Sequence, residues 1–275
     1  MLQETMKADW DKLEQAALES AQRIFPCEKD LLNHIPIADI IKEKCASNIA
    51  QATPYLIRVA GQSGSGKSTQ LIPALENVLK GQNYVKINVG AFAPFHPKYQ
   101  EWQQKDPALV REKTNGFALR ALLLFYRYCV EHNVNILFDM TLLEPEIEHY
   151  LMGFAKQNGY QIQLHVLCVP KKVSNLFIRK RYAQTGRYVS TYSTDYFFNA
   201  LAPALKSLVN QRFFDKTDSV FMWTHYHSRP IKKTSFFNPY ITTILMKNRR
   251  NRRIKRANAL LKAKITYLNL FKRKV

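Results

Sequence analysis

Long apolar runs are missing from this chain: none reaches the roughly 18 residues that a membrane-spanning helix needs. The first twenty residues lack the basic end and apolar centre of a secretory signal and are acidic and amphipathic instead. Both absences argue against export or a membrane span and read as a cytoplasmic protein. Cysteine is scarce. Cys27, Cys45, Cys129 and Cys168 are scattered, without C-x-x-C spacing or clustered histidines, which argues against disulfides or structural zinc and for reduced core thiols. Internal repeats and low-complexity blocks are absent too. Acidic residues stop at Asp218, while 15 Lys and Arg follow it, so three quarters of the formal net charge of +20 sits beyond that point. The basicity belongs mainly to a tail, and the body carries no general nucleic-acid signature.

What is present is enough for a packed core, with 46% hydrophobic residues in 275. One stretch organises the rest. Gly61-Gln62-Ser63-Gly64-Ser65-Gly66-Lys67-Ser68-Thr69 fits G-x-x-x-x-G-K-[ST]. Tyr55 to Ala60 before it reads as a buried strand, and Thr69 to Lys80 after it reads as a helix. The glycines let successive backbone N–H groups turn inward, and the helix N-terminus adds about half a positive charge at the same point. An anion of phosphate size is the natural occupant. The reading assigns Gly61, Ser63, Gly64, Ser65, Gly66, Lys67, Ser68 and Thr69 to binding ATP or GTP. Within that loop Lys67 would reach the β- and γ-phosphates, and the Ser68 hydroxyl would ligate Mg²⁺.

Around this loop the pattern alternates. Residues 1–53 form a helical segment, with Trp10, Leu13, Ala17, Ala21 and Ile24 at helical spacing and a second pattern from Leu31 to Ile49 interrupted by Pro36. It reads either as a helical layer packed on the domain or as a cover that restrains the active site. Residues 54–240 supply five strands separated by helices: Tyr55–Ala60, Tyr84–Val89, Val134–Asp139, Gln161–Val169 and Ser219–Trp223. A long helical pattern from Pro107 to His132 is broken at most near Gly116. Such alternation predicts an α/β fold, a P-loop kinase-like parallel five-stranded sheet flanked by helices, with its ligand at the C-terminal strand ends. Asp139 ends an apolar strand, where its carboxylate would lie beside Mg²⁺ and its waters; a helix cap or turn residue is the alternative. Arg181 and Arg187 would clamp a triphosphate from a mobile segment, or else belong to a solvated basic helix end. Residues 241–275 read as a basic amphipathic helix, suited to nucleic acid, anionic membrane or an acidic protein, or simply to packing by its apolar stripe.

Several of these stretches together resemble the zeta toxin family, P-loop kinases of bacterial toxin-antitoxin systems, from about Tyr55 to Thr234. Besides the phosphate loop, His96-Pro97-Lys98-Tyr99 looks like the family's H-P-x-[YF]. Asn135 to Thr141 sits where the family has an apolar strand ending E-G-T, and Val169-Pro170, Arg181-Tyr182 and Arg187 match further positions. The resemblance implies ATP- or GTP-dependent phosphorylation of a UDP-N-acetylamino sugar, usually UDP-N-acetylglucosamine, and restraint by an antitoxin. It implies His96 and Thr141 on the acceptor side, Asp139 and Ser68 at the metal, and Lys67, Asp139, Arg181 and Arg187 as catalytic residues. In the family a helical antitoxin obstructs the nucleotide site; here residues 1–50 are an alternative inhibitor in cis. Four positions depart from the pattern. Asn88-Val89-Gly90 stands where the family has D-x-D, whose second Asp serves as general base; Asp139 replaces Glu, and Met140 replaces Gly. Four readings stay open: a slow kinase with Asp139 doubling as base, a kinase for another acceptor, a nucleotide binder without efficient chemistry, and a polynucleotide-directed enzyme using the tail.

Overall fold

A computed structural model describes residues 10–19, 34–47, 49–105, 107, 110–141, 145–185, 191–210, 214, 218–224 and 231–232. Arg187 and the 241–275 tail therefore lie outside the described residues. Five strands form the parallel sheet: β1 Tyr55–Ala60, β2 Val85–Asn88, β3 Ile136–Asp139, β4 Gln161–Cys168 and β5 Ser219–Thr224. Their order is β2-β3-β1-β4-β5, and β6, Ile231–Lys232, adds a short antiparallel edge. Two residues carry no readable alternation, which is why β6 escapes a reading of the sequence.

The helices follow in chain order: α1 over 10–19, α2 Ile37–Cys45, α3 Ile72–Val78, α4 Tyr99–Lys105, α5 Val110–Glu131, α6 Pro145–Gln157, α7 Lys171–Thr185 and α8 Thr191–Asn210. Both sheet faces are covered, so the central strands are mainly apolar, with Arg58 in β1 and His165 in β4 as buried polar members. On one face α1, α2, α5, α6 and α8 share a core with Leu56, Ile136, Phe138, Ile162 and Leu164. On the other, Leu71, Ile72, Leu75 and Leu79 of α3 and its flanks pack on Ile57, Val59, Leu137 and Leu167. The α5 helix runs unbroken through Gly116, which is buried among Asn115 and Phe117. The helix tolerates there the roughly 1 kcal/mol that glycine costs in a helix interior.

The N-terminal helix α1 is a core element. Trp10 is buried, with its ring centroid 5.0 Å from Phe154 and 6.4 Å from Tyr126, and Glu14 pairs with Arg120 of α5. Pro36 directly precedes α2, so the expected interruption is a helix start, the position at which proline is tolerated. The thiols Cys45, Cys129 and Cys168 are buried and free. Among the described residues, no helix is long and apolar enough to cross a membrane.

Candidate nucleotide site

The order β2-β3-β1-β4 reverses at β1, so the crevice beyond the C-terminal ends of β1 and β3 lies at the topological switch point. The loop after β1 fills it. Gly61 has φ 148°, and a Cβ there would come within 2.7 Å of the Leu167 carbonyl oxygen at the end of β4. Gly64 has φ 73°, and a Cβ there would run into the Ser174 carbonyl and come within 2.7 Å of Ile178. Only glycine fits either place. The second contact shows α7 lying directly on the loop. Gly66, also at positive φ, hands the chain to a wide first turn, Lys67–Leu71, that continues as α3.

Ser63 and Ser65 are buried within the loop, and Ser68 and Thr69 are exposed at the start of the helix. The Lys67 ammonium donates to the Gly61 carbonyl at 2.6 Å. Burial pulls its pKa from 10.5 to about 8; Asp139 opposes this, while Arg58, Arg111 and Arg181 add to it. Three guanidinium groups thus share the field around Lys67. Arg181, half-buried on α7, is brought close enough to the loop to act on Lys67.

Asp139 lies across the crevice, and Ser68 Oγ donates to its Oδ2 at 3.4 Å. Its Oδ1 is buried with no hydrogen-bond partner, as are Ser65 Oγ and Gln62 Oε1. Magnesium takes oxygen ligands in an octahedron at about 2.0–2.1 Å, which sets neighbouring ligand oxygens about 3 Å apart. The Ser68 and Asp139 oxygens need close by only a few tenths of an ångström, so this pair and the orphaned Oδ1 fit such an ion. No group of three or more metal-binding side chains occurs among the described residues, and magnesium commonly takes its remaining ligands from phosphates and water.

The two residues read as acceptor contacts are placed differently. Thr141 follows β3, half-buried, and its carbonyl accepts from Arg58. His96 is buried beneath its loop, with its ring 4.6 Å from Trp102 and 5.0 Å from Phe117, and its Nδ1 accepts the Lys98 amide at 3.0 Å. In this geometry His96 shapes the loop. Asn88 Oδ1 accepts the Ala91 amide at 3.1 Å, and Gly90 beside it is exposed.

Reading motifs in the sequence passes over four contributors. Gln62 Nε2 donates to the Val169 carbonyl at 2.6 Å, tying the loop to the end of β4. Arg111 reaches Lys67 electrostatically from the first turn of α5. Arg58 and Glu148 form a fully buried ion pair of 2.7 Å. One signal was visible: a charge amid the apolar run Leu56-Ile57-Arg58-Val59 demands a buried partner.

A strand, a glycine-rich loop, a helix N-terminus and a carboxylate on the neighbouring strand together form the P-loop kinase-like arrangement. The family model described as Zeta toxin matches residues 38–241, and the chain belongs to the zeta toxin family. It is 28% identical over 131 residues to the toxin PezT of Streptococcus pneumoniae serotype 4 (strain ATCC BAA-334 / TIGR4). That stretch is 48% of this chain and 51% of PezT, about half the length of each. The fold is similar to a chain from the PezAT chromosomal toxin-antitoxin system of the same species, with TM-score 0.65 and 20% identity, covering 90% of this chain and 98% of that one. It also resembles a chain of the AvrRxo1-ORF1:-ORF2 complex, at TM-score 0.52 and 14% identity, over 89% of this chain and 72% of that one.

Proposed function

We propose that the protein is a kinase that transfers the γ-phosphate of ATP or GTP to a UDP-N-acetylamino sugar or a related small metabolite, as the toxin of a toxin-antitoxin pair. The observation that carries this reading is the convergence of Lys67, Ser68 and Asp139 on one crevice in a zeta toxin family chain. A similar fold, at TM-score 0.50 and 15% identity, was solved as AvrRxo1-ORF1:-ORF2 with ATP. In the proposed reaction an acceptor hydroxyl oxygen bonds to the γ-phosphorus as the bond to the β-phosphate bridging oxygen breaks. The hydroxyl proton passes to the Asp139 carboxylate or to water. The loop amides and Lys67 hold the phosphates, and Arg181 neutralises the charge that develops. Ser68 and Asp139 would hold a magnesium ion, whose chemistry is to neutralise phosphate charge and orient the γ-phosphate. Free buried thiols suit a reducing cytoplasm, and an antitoxin is the proposed partner by similarity to the PezAT system.

Mass spectrometry of UDP-N-acetylglucosamine incubated with ATP, Mg²⁺ and the protein tests this reading. A product one phosphate heavier that disappears with Lys67→Ala supports it. No product, with nucleotide binding intact, favours a second reading, a nucleotide binder without efficient turnover. The local observation behind that alternative is that Asn88 is engaged as a turn cap and Gly90 offers no proton acceptor.

A further inference from the structure

Arg58 lies in β1, directly before the phosphate loop, and is fully buried. Its Nε donates to Glu148 Oε2 at 3.1 Å and its Nη2 to Oε1 at 2.7 Å, so the pair is bidentate. Nη1 donates to the carbonyls of Val59 at 2.8 Å and Met140 at 2.7 Å, and Nη2 also to that of Thr141 at 3.4 Å. The guanidinium lies 4.8 Å over the Phe138 ring. Apart from Glu148, at the start of α6, every partner belongs to β1 or to the run from Phe138 to Thr141.

Stability alone gives no reason for this arrangement. Desolvating two charges consumes most of their attraction, and a well-packed apolar pair in the same volume is often equally stable. What an apolar pair cannot do is hold backbone carbonyls. The ladder between β1 and β3 ends at Val59 and Asp139, and the next rung, Met140 N to Val59 O, is already stretched to 3.4 Å. Beyond Asp139, the arginine fork takes over from the sheet.

We propose that Arg58, braced by Glu148, is a positioning residue that fixes Asp139–Thr141 against the phosphate loop and so holds the Asp139 carboxylate beside Ser68. This rests on the reading of Asp139 and Ser68 as the metal pair. The role is distinct from nucleotide contact, because Arg58 points to backbone carbonyls and Glu148.

The test compares wild type, Arg58→Met/Glu148→Leu, Asp139→Asn and Lys67→Ala by calorimetric ATP binding in EDTA and across a Mg²⁺ titration, with thermal melting as control. The apolar double variant is expected to melt close to wild type, with its own ATP affinity in EDTA as the baseline for its Mg²⁺ titration. It should need about ten- to hundredfold more Mg²⁺ for half-maximal enhancement of binding, the usual cost of losing a group that orients a metal ligand. An unchanged Mg²⁺ requirement in the folded double variant overturns the proposal, because a purely structural pair would move only the melting temperature. Should the double variant not fold, Glu148→Gln keeps the volume and removes the charge. A raised Mg²⁺ requirement there supports the proposal, and an unchanged one overturns it. If wild type shows no Mg²⁺ enhancement, or one indifferent to Asp139→Asn, the metal reading itself fails and the proposal falls with it. Loss of all binding in Lys67→Ala alone leaves that reading intact.

Discussion

Asn88 on β2 stands directly across from Asp139 on β3, paired at the last rung of their ladder. The Asn88 side chain is turned to the Ala91 amide, so Asp139 is the one carboxylate that this rung offers to the crevice. Two residues further on, Gly90 is exposed in the short turn Val89–Ala91.

Gly90→Asp should therefore add a second proton acceptor at the rim. If a missing base is the only deficit, phosphorylation of a UDP-amino sugar should rise by about 10² or more, read as initial rates by mass spectrometry. An unchanged rate would mean that Gly90 is not the only departure that limits turnover.

Lys67 should make nucleotide affinity depend on pH. Its pKa in the folded protein is lowered to about 8 from 10.5, so above pH 8 the empty site loses the charge that a triphosphate needs. ATP affinity should fall by up to about tenfold per pH unit above that point. Stability moves the other way: the unfolded chain keeps this proton up to 10.5, so between pH 8 and 10.5 the nucleotide-free fold gains stability with rising pH. Lys67→Ala should remove both dependences in calorimetry and urea titrations; the same slopes in the variant would count against Lys67 as their source.

His165 sets an acid limit. Trp223 Nε1 donates to its Nδ1 at 3.1 Å, which leaves the ring proton on Nε2, and burial lowers its pKa from 6.5 to about 3. Below pH 6.5 the unfolded chain takes up a proton that the folded chain refuses. Stability should fall through that window by up to about 1.4 kcal/mol per pH unit. His165→Gln should flatten the dependence of unfolding free energy on pH between 6 and 4, and an unaltered slope would assign the acid sensitivity elsewhere.

Trp10 anchors α1 between Tyr126 and Phe154. Trp10→Ala should cost about 3–5 kcal/mol, seen in thermal melting. Deleting residues 1–50 should accordingly unfold the domain. A truncated protein that melts like the full chain and turns over faster would instead establish the N-terminal segment as an inhibitor in cis.

The phosphate loop was legible because its chemistry is local. Glycine spacing, Lys67 and Ser68 act through the backbone of nine consecutive residues, and the flanking strand and helix each show their own period. Asp139 was legible for a related reason: a carboxylate closing an apolar strand marks a C-terminal sheet end. Arg181 was readable only as one of two alternatives, since spacing within α7 does not say what the helix rests on. The Gly64 contact with Ser174 and Ile178 supplies that information.

His96 shows the limit of motif reading. Its position in H-P-x-[YF] implies the acceptor side, yet Trp102 and Phe117, 6 and 21 residues later, enclose its ring. Arg58 shows the same limit from the other side, because its partner Glu148 is 90 residues away.

Amino-acid order by itself determined the alternation of strands and helices, the glycine-rich turn after β1 and the placing of the basic charge near the end of the chain. Each follows from local periodicity, glycine sterics or composition. Tertiary structure alone decided which charges share the crevice, that α1 belongs to the core and that Arg58 braces the end of β3. Those outcomes depend on strand order and desolvation, which join residues that no sequence interval connects.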